Sequence, residues 1–274
     1  MYSGSTFNAY SGYLLGAHQK IDRVARKHLE RLLPQCSFPA SKSILQFEGN
    51  NGPDGIKRKS PAQHEPWHFM EPYNPKDTKL IKSVESHYAR LVQALKAMDN
   101  VRAAFEAAWL AHAVVDGLTP AHHFPYEEKL VELGNTGGNK GRTSVARKLI
   151  MPGETVGRAV RNNWLMWGPK GLFTNHAAFE MGVAMIIAPL KIEAALPTEV
   201  DIREFTNQPL SRWFRQNAQD IADLKLYDAF SAKGWTTSLG RRVRKQLVPS
   251  LVQAVTLVWY GAAREAGLQE TKPA

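Results

Sequence analysis

Apolar residues recur at helical spacing through most of the chain. Between 13 and 33, Leu14, Ile21, Val24, Ala25, Leu29, Leu32 and Leu33 share one face, and Pro34 stops the run. The same period predicts helices over 75–98, 101–118, 175–189, 210–232 and 250–266. No stretch alternates apolar and polar positions over a useful length, and no segment repeats. The pattern predicts an all-α fold, a single multi-helix domain over 1–274 with residues 1–12 flexible. Two regions lack the period and read as loops: 34–66, with many Gly, Pro, Ser, Asn and Lys, and 123–172, with Gly-Asn-Thr-Gly-Gly-Asn and scattered Arg and Lys.

The helix over 101–118 is the unusual one. Its run AAFEAAWLAHAVV admits close packing, and Glu106 and His112 in that apolar setting are costly unless paired or metal-bound. His112 and Asp116 lie one turn apart on one face. Thr119-Pro120 then ends the helix, because the residue before a proline is driven from the α region. The break turns His122 and His123 back toward the same point. A carboxylate with several imidazoles suits a borderline cation such as Zn²⁺.

Four His residues have an acid four positions on: His18–Asp22, His112–Asp116, His123–Glu127 and His176–Glu180. Composition alone gives roughly 0.8 such pairs. Any one pair is ordinarily a surface ion pair or a capping contact; the excess makes the set informative. His18 projects with Leu14, Ile21 and Ala25 and so points inward, where a lone His is more often a satisfied core residue. Asp54 lies in a Pro-Asp-Gly turn, where Asp usually serves the turn itself, and His64 and His68 flank Glu65, Pro66 and Trp67.

Composition narrows the chemistry. With 43% hydrophobic and 22% charged residues, the 274-residue chain is of ordinary globular type and can bury a core without disulfides. The single cysteine, Cys36, excludes an intrachain disulfide framework and a Cys-rich zinc site, and argues against a disulfide-linked partner. A metal must therefore be held by His and carboxylate. The net charge of +10 favours an anionic partner: a phosphate ester, nucleic acid or an anionic membrane surface. The first residues, MYSGSTFNAYSGYLLGAH, show no secretory signal pattern, and no stretch reaches the ~18 apolar residues of a membrane span.

This spacing resembles the zinc-dependent phospholipase C / S1–P1 nuclease superfamily, all-helical and usually secreted hydrolases of phosphodiesters with a three-metal site. His112, Asp116 and His122, with Pro120 between the last two, match its core signature, and His176-Glu180 is similar to its later pair. Asp54 and His68 stand fourteen apart, as the family's loop Asp and His do. His18 in AHQKIDRVARKHL and the closing QAVTLVWYGA resemble its first and last helices. The resemblance covers about 13–265 and leaves His28, His64, His87 and His123 as bystanders.

The resemblance implies two or three Zn²⁺ per chain. One would take Asp54, His68 and His112, with Asp116 as a bridging carboxylate; a second His122, His176 and Glu180; a third His18 and Asp116, which the family completes with the amino group and carbonyl of an N-terminal Trp. Asp54 and Asp116 would be the catalytic carboxylates, a metal-activated water the nucleophile. The chain departs from the family in three ways. No Trp precedes His18; the 123–172 insertion adds about 40 residues and could be a lid or substrate platform; and the choline-pocket aromatics are missing. Trp67 and Phe69 could stack on a base or cover a lipid glycerol, or simply pack in the core. The expectation is a zinc-dependent phosphodiesterase of phospholipase C type acting on a phospholipid head group. A single-strand nuclease and a non-catalytic metal-binding helical protein are the alternatives.

Overall fold

Helix α5 (Asn100–Gly117) is buried on nearly every face, from Ala103 through Leu110 to Val115. Its alanines let neighbouring backbones approach closely, so the rest of the fold wraps around it. The computed structural model describes residues 1–4, 15–61, 65–134 and 138–268, and among these the chain is all-helical with no strand. α1 (Ala17–Leu32), α4 (Lys79–Lys96) and α14 (Val248–Glu265) pack on α5 and supply most of the main core. α4 and α5 form a tight antiparallel hairpin. Asp99 caps α5 by accepting from the Arg102 N–H at 3.0 Å. On the opposite side, the buried indole of Trp259 on α14 donates to the Ala107 carbonyl at 3.0 Å.

Both regions expected as loops hold short helices. The first contains α2 (Ser41–Leu45) and α3 (Pro53–Lys59). Asp54 is thus the second residue of a helix opened by Pro53, not part of a free turn. Gly55 is required there, since a Cβ would meet the Asn50 carbonyl oxygen at 2.1 Å. The second region contains α6 (Tyr126–Glu132), α7 (Val145–Leu149) and α8 (Val156–Trp167). α6 and α8, with Met151 between α7 and α8, bury a small core of their own around Leu130, Leu133, Met151 and Met166. Helices of five to twelve residues present too few turns for the period to stand out.

Further on come α9 (Leu172–Ile187), α10 (Glu199–Thr206), α11 (Leu210–Asp223), α12 (Leu226–Lys233) and α13 (Thr237–Arg242). The single helix expected over 210–232 is two, broken where Lys225 adopts a left-handed φ of 49°. A π-helical turn, Val243–Leu247, joins α13 to α14. Of the segment expected to be flexible, residues 1–4 lie against the fold with Met1 and Ser3 buried, and residues 5–12 lie outside the described residues, as does His64.

Trp259 clamps α14 to the helix that carries His112 and Asp116. Trp259→Ala should lower unfolding free energy by about 3–5 kcal/mol, measured by urea titration, with Trp259→Phe costing less. A loss under 1 kcal/mol would mean that α5 is held mainly by its other neighbours.

Candidate metal centre

Five segments meet at the C-terminal end of α5. α5 itself carries His112 and Asp116. Its end is closed by the Thr119 hydroxyl, which donates to the Val115 carbonyl at 2.7 Å, and Pro120 opens a single tight turn over Pro120–His122. That turn presents His122 to the cluster. The Met70 N–H donates to the His122 carbonyl at 3.1 Å, fixing the strand-like segment that carries His68 and Phe69 beside it. α9 brings His176 and Glu180 on successive turns, α1 brings His18, and α3 brings Asp54.

Asp116 is the hub. Its Oδ2 lies 2.5 Å from His68 Nδ1 and 3.2 Å from His112 Nε2. Its Oδ1 lies 3.4 Å from His18 Nε2 and 3.5 Å from His122 Nδ1. Beyond His122, the Glu180 Oε1 lies 2.9 Å from His122 Nε2 and 3.0 Å from His176 Nε2. His112 Nε2 also lies 3.8 Å from Asp54 Oδ1. The imidazoles stack in two parallel pairs, His18 on His112 at 3.9 Å and His122 on His176 at 4.8 Å.

The ligand atoms of Asp54, His68 and His112 lie within 4.8 Å of one another, as do those of His122, His176 and Glu180, and each group could hold a metal ion. These are the two triads that the resemblance implied. A third such group, His18, Glu48 and His112, includes a residue that the sequence reading missed. Glu48 is fully buried, and its Oε2 faces His112 Nδ1 at 3.3 Å. His112 therefore turns Nε2 toward Asp54 and Asp116 and holds Glu48 behind it, the arrangement by which a carboxylate orients a ligating imidazole. His176 is set the same way, its Nδ1 lying 3.1 Å from the Ala121 carbonyl oxygen. Glu48 sits in a loop with no period to mark it, which is why the sequence did not reveal it.

The donors fit a cation on their own chemistry. Both ring nitrogens of His18, Nε2 of His68 and Nδ1 of His122 are buried with no hydrogen bond of adequate geometry, an arrangement that is costly unless something else binds them. Positive charge is also drawn to the spot. The Met1 ammonium donates to Asp116 Oδ1 at 2.5 Å and lies 2.9 Å from Glu180 Oε1. Burial lowers its pKa, but Asp116, Glu180 and Asp54 outweigh that and lift it to about 10.

The same balance runs through the cluster. Burial opposes ionisation of Asp116, yet the ammonium and His122 and His112 hold its carboxyl well below the usual range. Asp54 is likewise depressed against burial by His112 and His68, and Glu180 by the ammonium and His176. Burial depresses His122 to about 3, leaving a neutral imidazole. His112 goes the other way: burial is outweighed by Asp116 and Glu48, which raise it well above its ordinary value. Behind Glu48, burial and that neighbouring carboxylate push the Asp22 carboxyl up, favouring its protonated form.

Of the four His-to-acid pairs, only His112–Asp116 and His176–Glu180 make ion pairs in the cluster. His18 faces Asp116, and Glu127 pairs instead with Lys79 at 3.2 Å. The described bystanders have other partners: His28 the Ile192 carbonyl, His87 the buried Glu106, and His123 the Gly117 carbonyl.

A cleft of about 510 Å³ opens beside Asp54, His176 and Glu180. Of the basic residues scattered through 123–172, Arg142 and Lys148 are buried and held inside the fold. Lys148 is bound by Glu65 and by the Lys57 and Ser60 carbonyls, and Arg142 by the Tyr126 hydroxyl and the Lys148 carbonyl. The cations on the α3 side of the cleft are Lys57 and Arg58, and Asp54 raises the Lys57 pKa against burial. Trp67 and Phe69 are not among the residues lining the cleft. Phe69 stacks on Tyr126 at 4.0 Å and backs His122, and Trp67 lies under Lys79. The aromatic lining comes instead from Tyr2, Tyr126, Trp167 and Phe173.

Comparison with protein-family models, with curated proteins and with solved structures finds no match.

If Glu48 orients His112, Glu48→Gln should weaken metal affinity about 10–100-fold in chelator competition. His87→Gln, away from the cluster, should leave metal content unchanged; equal effects of the two would show that the wrong histidines had been chosen.

Proposed function

We propose that this chain is a zinc-dependent phosphodiesterase of phospholipase C type that hydrolyses its substrate with an activated water. The observation that carries the reading is one buried carboxylate, Asp116, whose two oxygens are shared among four imidazoles from separate segments beside a cleft. A carboxylate so placed can bridge cations that would otherwise repel each other. Neutral imidazoles and carboxylates without any thiolate suit Zn²⁺. Asp54, His68 and His112 would hold one ion, His122, His176 and Glu180 a second, and His18 with Asp116 a third, where the Met1 nitrogen lies alongside. When bound, such ions lower the pKa of a water toward neutrality and neutralise charge developing on a phosphoryl group.

The protein's own groups do the rest. Lys57, beside Asp54, offers a cation to a non-bridging phosphoryl oxygen, and its raised pKa keeps it charged at neutral pH. Asp54 stays ionised at the cleft wall, able to accept a hydrogen bond from an attacking water. Tyr126, Trp167 and Phe173 cover the substrate body and exclude bulk solvent. No side-chain nucleophile is required. The basic and aromatic walls also suit a single-stranded nucleic acid, whose binding would weaken steeply with salt.

Metal content by mass spectrometry and hydrolysis of bis(p-nitrophenyl) phosphate test the reading together. Two or three zinc ions per chain with chelator-sensitive turnover are expected. Asp116→Asn should release more than one ion per chain; full retention would remove the bridging role. Lys57→Ala should raise KM with metal content intact. Acidification should strip the metal, because imidazoles must be deprotonated to bind it. Metal without turnover of any phosphodiester would leave a non-catalytic metal-binding protein.

A further inference from the structure

The outer face of α8 carries apolar side chains that nothing among the described residues covers. Val156, Val160 and Trp164 repeat every four residues along it, 83%, 66% and 66% exposed, and Leu165 is also exposed. The inward side of the helix holds the buried Met166 and the half-buried Asn163, which bonds the Met151 backbone. An apolar stripe on the solvent side of a helix calls for a partner.

Two features identify it. Cations lie near the stripe: Arg161 is exposed on the outer side of α8 and Arg147 is exposed on α7, while Arg158 is paired with Glu154 at 2.7 Å. α8 also reaches the cleft: Trp167 at its end lines the cleft and lies 4.7 Å from Phe173 on α9, which with Val145 and Leu149 of α7 is exposed at the cleft's edge. Valines and a tryptophan bordered by arginines match what an interfacial helix presents to the headgroup boundary, with the arginine stems lying along the acyl region and their heads at phosphate level.

We propose that the α7–α8 face docks the protein on an anionic lipid bilayer, with the mouth of the cleft turned toward the surface. Docking depends only on this face. Its consequence for catalysis, that a lipid phosphodiester enters the cleft from the layer past Leu149 and Phe173, rests on the hydrolase reading above.

The test is co-sedimentation of the full chain with phosphatidylcholine vesicles, with and without phosphatidylglycerol, in the presence of chelator so that no turnover intervenes. Binding should require the anionic lipid and weaken as salt is added. The variant V156S/V160S/W164S should bind about tenfold or more weakly, with unchanged circular dichroism. A control, M98S/V101S, removes exposed apolar residues at the α4–α5 turn, away from this face, and should bind as the parent does. The triple variant should turn over a soluble phosphodiester normally, so loss of docking and loss of catalysis separate. Equal vesicle binding by parent and triple variant, or none by either, overturns the proposal. So does self-association in solution that the triple variant abolishes, which would assign the face to a second copy of the chain.

Discussion

Everything in this fold answers to one constraint, a carboxylate that is 1% exposed on a helix buried on nearly all sides. Removing Asp116 from water is unfavourable unless positive charge or hydrogen-bond donors surround it. The Met1 ammonium and His68 bond it directly, and His112, His18 and His122 turn ring nitrogens toward it at 3.2, 3.4 and 3.5 Å, each from a different element. The apolar frame makes this possible. Alanines on α5 bring α1, α4 and α14 close, and the Trp259 indole locks α14 in place. Short links then fix the remaining donors: the Met70–His122 backbone bond for His68, and the Ala121 carbonyl for His176. A cluster held through backbone contacts is less free to collapse onto itself, so nitrogens such as both of His18 stay without hydrogen bonds.

That a charged hub existed was legible because α5 is long, its period is clear, and a proline ends it where the imidazoles turn inward. The two triads followed from a resemblance in spacing, and the structure brings the same residues together. What escaped the sequence shares a physical cause. Glu48 and Lys57 act through contacts made by short helices and turns, whose few residues carry no readable period. The 123–172 region read as a loop because its helices are brief and bury only a small local core. The break between α11 and α12 is a single left-handed residue, Lys225, in a sequence otherwise continuous in its apolar spacing.

Not all of the positive charge faces solvent. Among the Arg and Lys scattered through 123–172, Lys148 and Arg142 are buried. Both are bound to backbone carbonyls and to Glu65 and Tyr126, pinning α7 against α3 and α6. A long cationic side chain with its donors satisfied inside the fold works as a strut. It shapes one wall of the cleft while adding little attraction for an anion.

The cleft thus joins two different surfaces. Its floor is the polar edge of the cluster that could hold metal ions: Asp54, His176 and Glu180. Its outer wall is built by α7 and α8; Lys148 ties α7 to the α3 segment, and α8 packs on α9 beside a small apolar cluster. A substrate with a charged phosphodiester and an apolar body could satisfy both at once, the phosphate beside Lys57 and the body along Tyr126, Leu149 and Phe173. A small inorganic anion would meet only the floor and leave the apolar wall in water. On the reading proposed above, a cleft with a charged floor and an apolar wall suits an amphipathic phosphodiester better than simple phosphate.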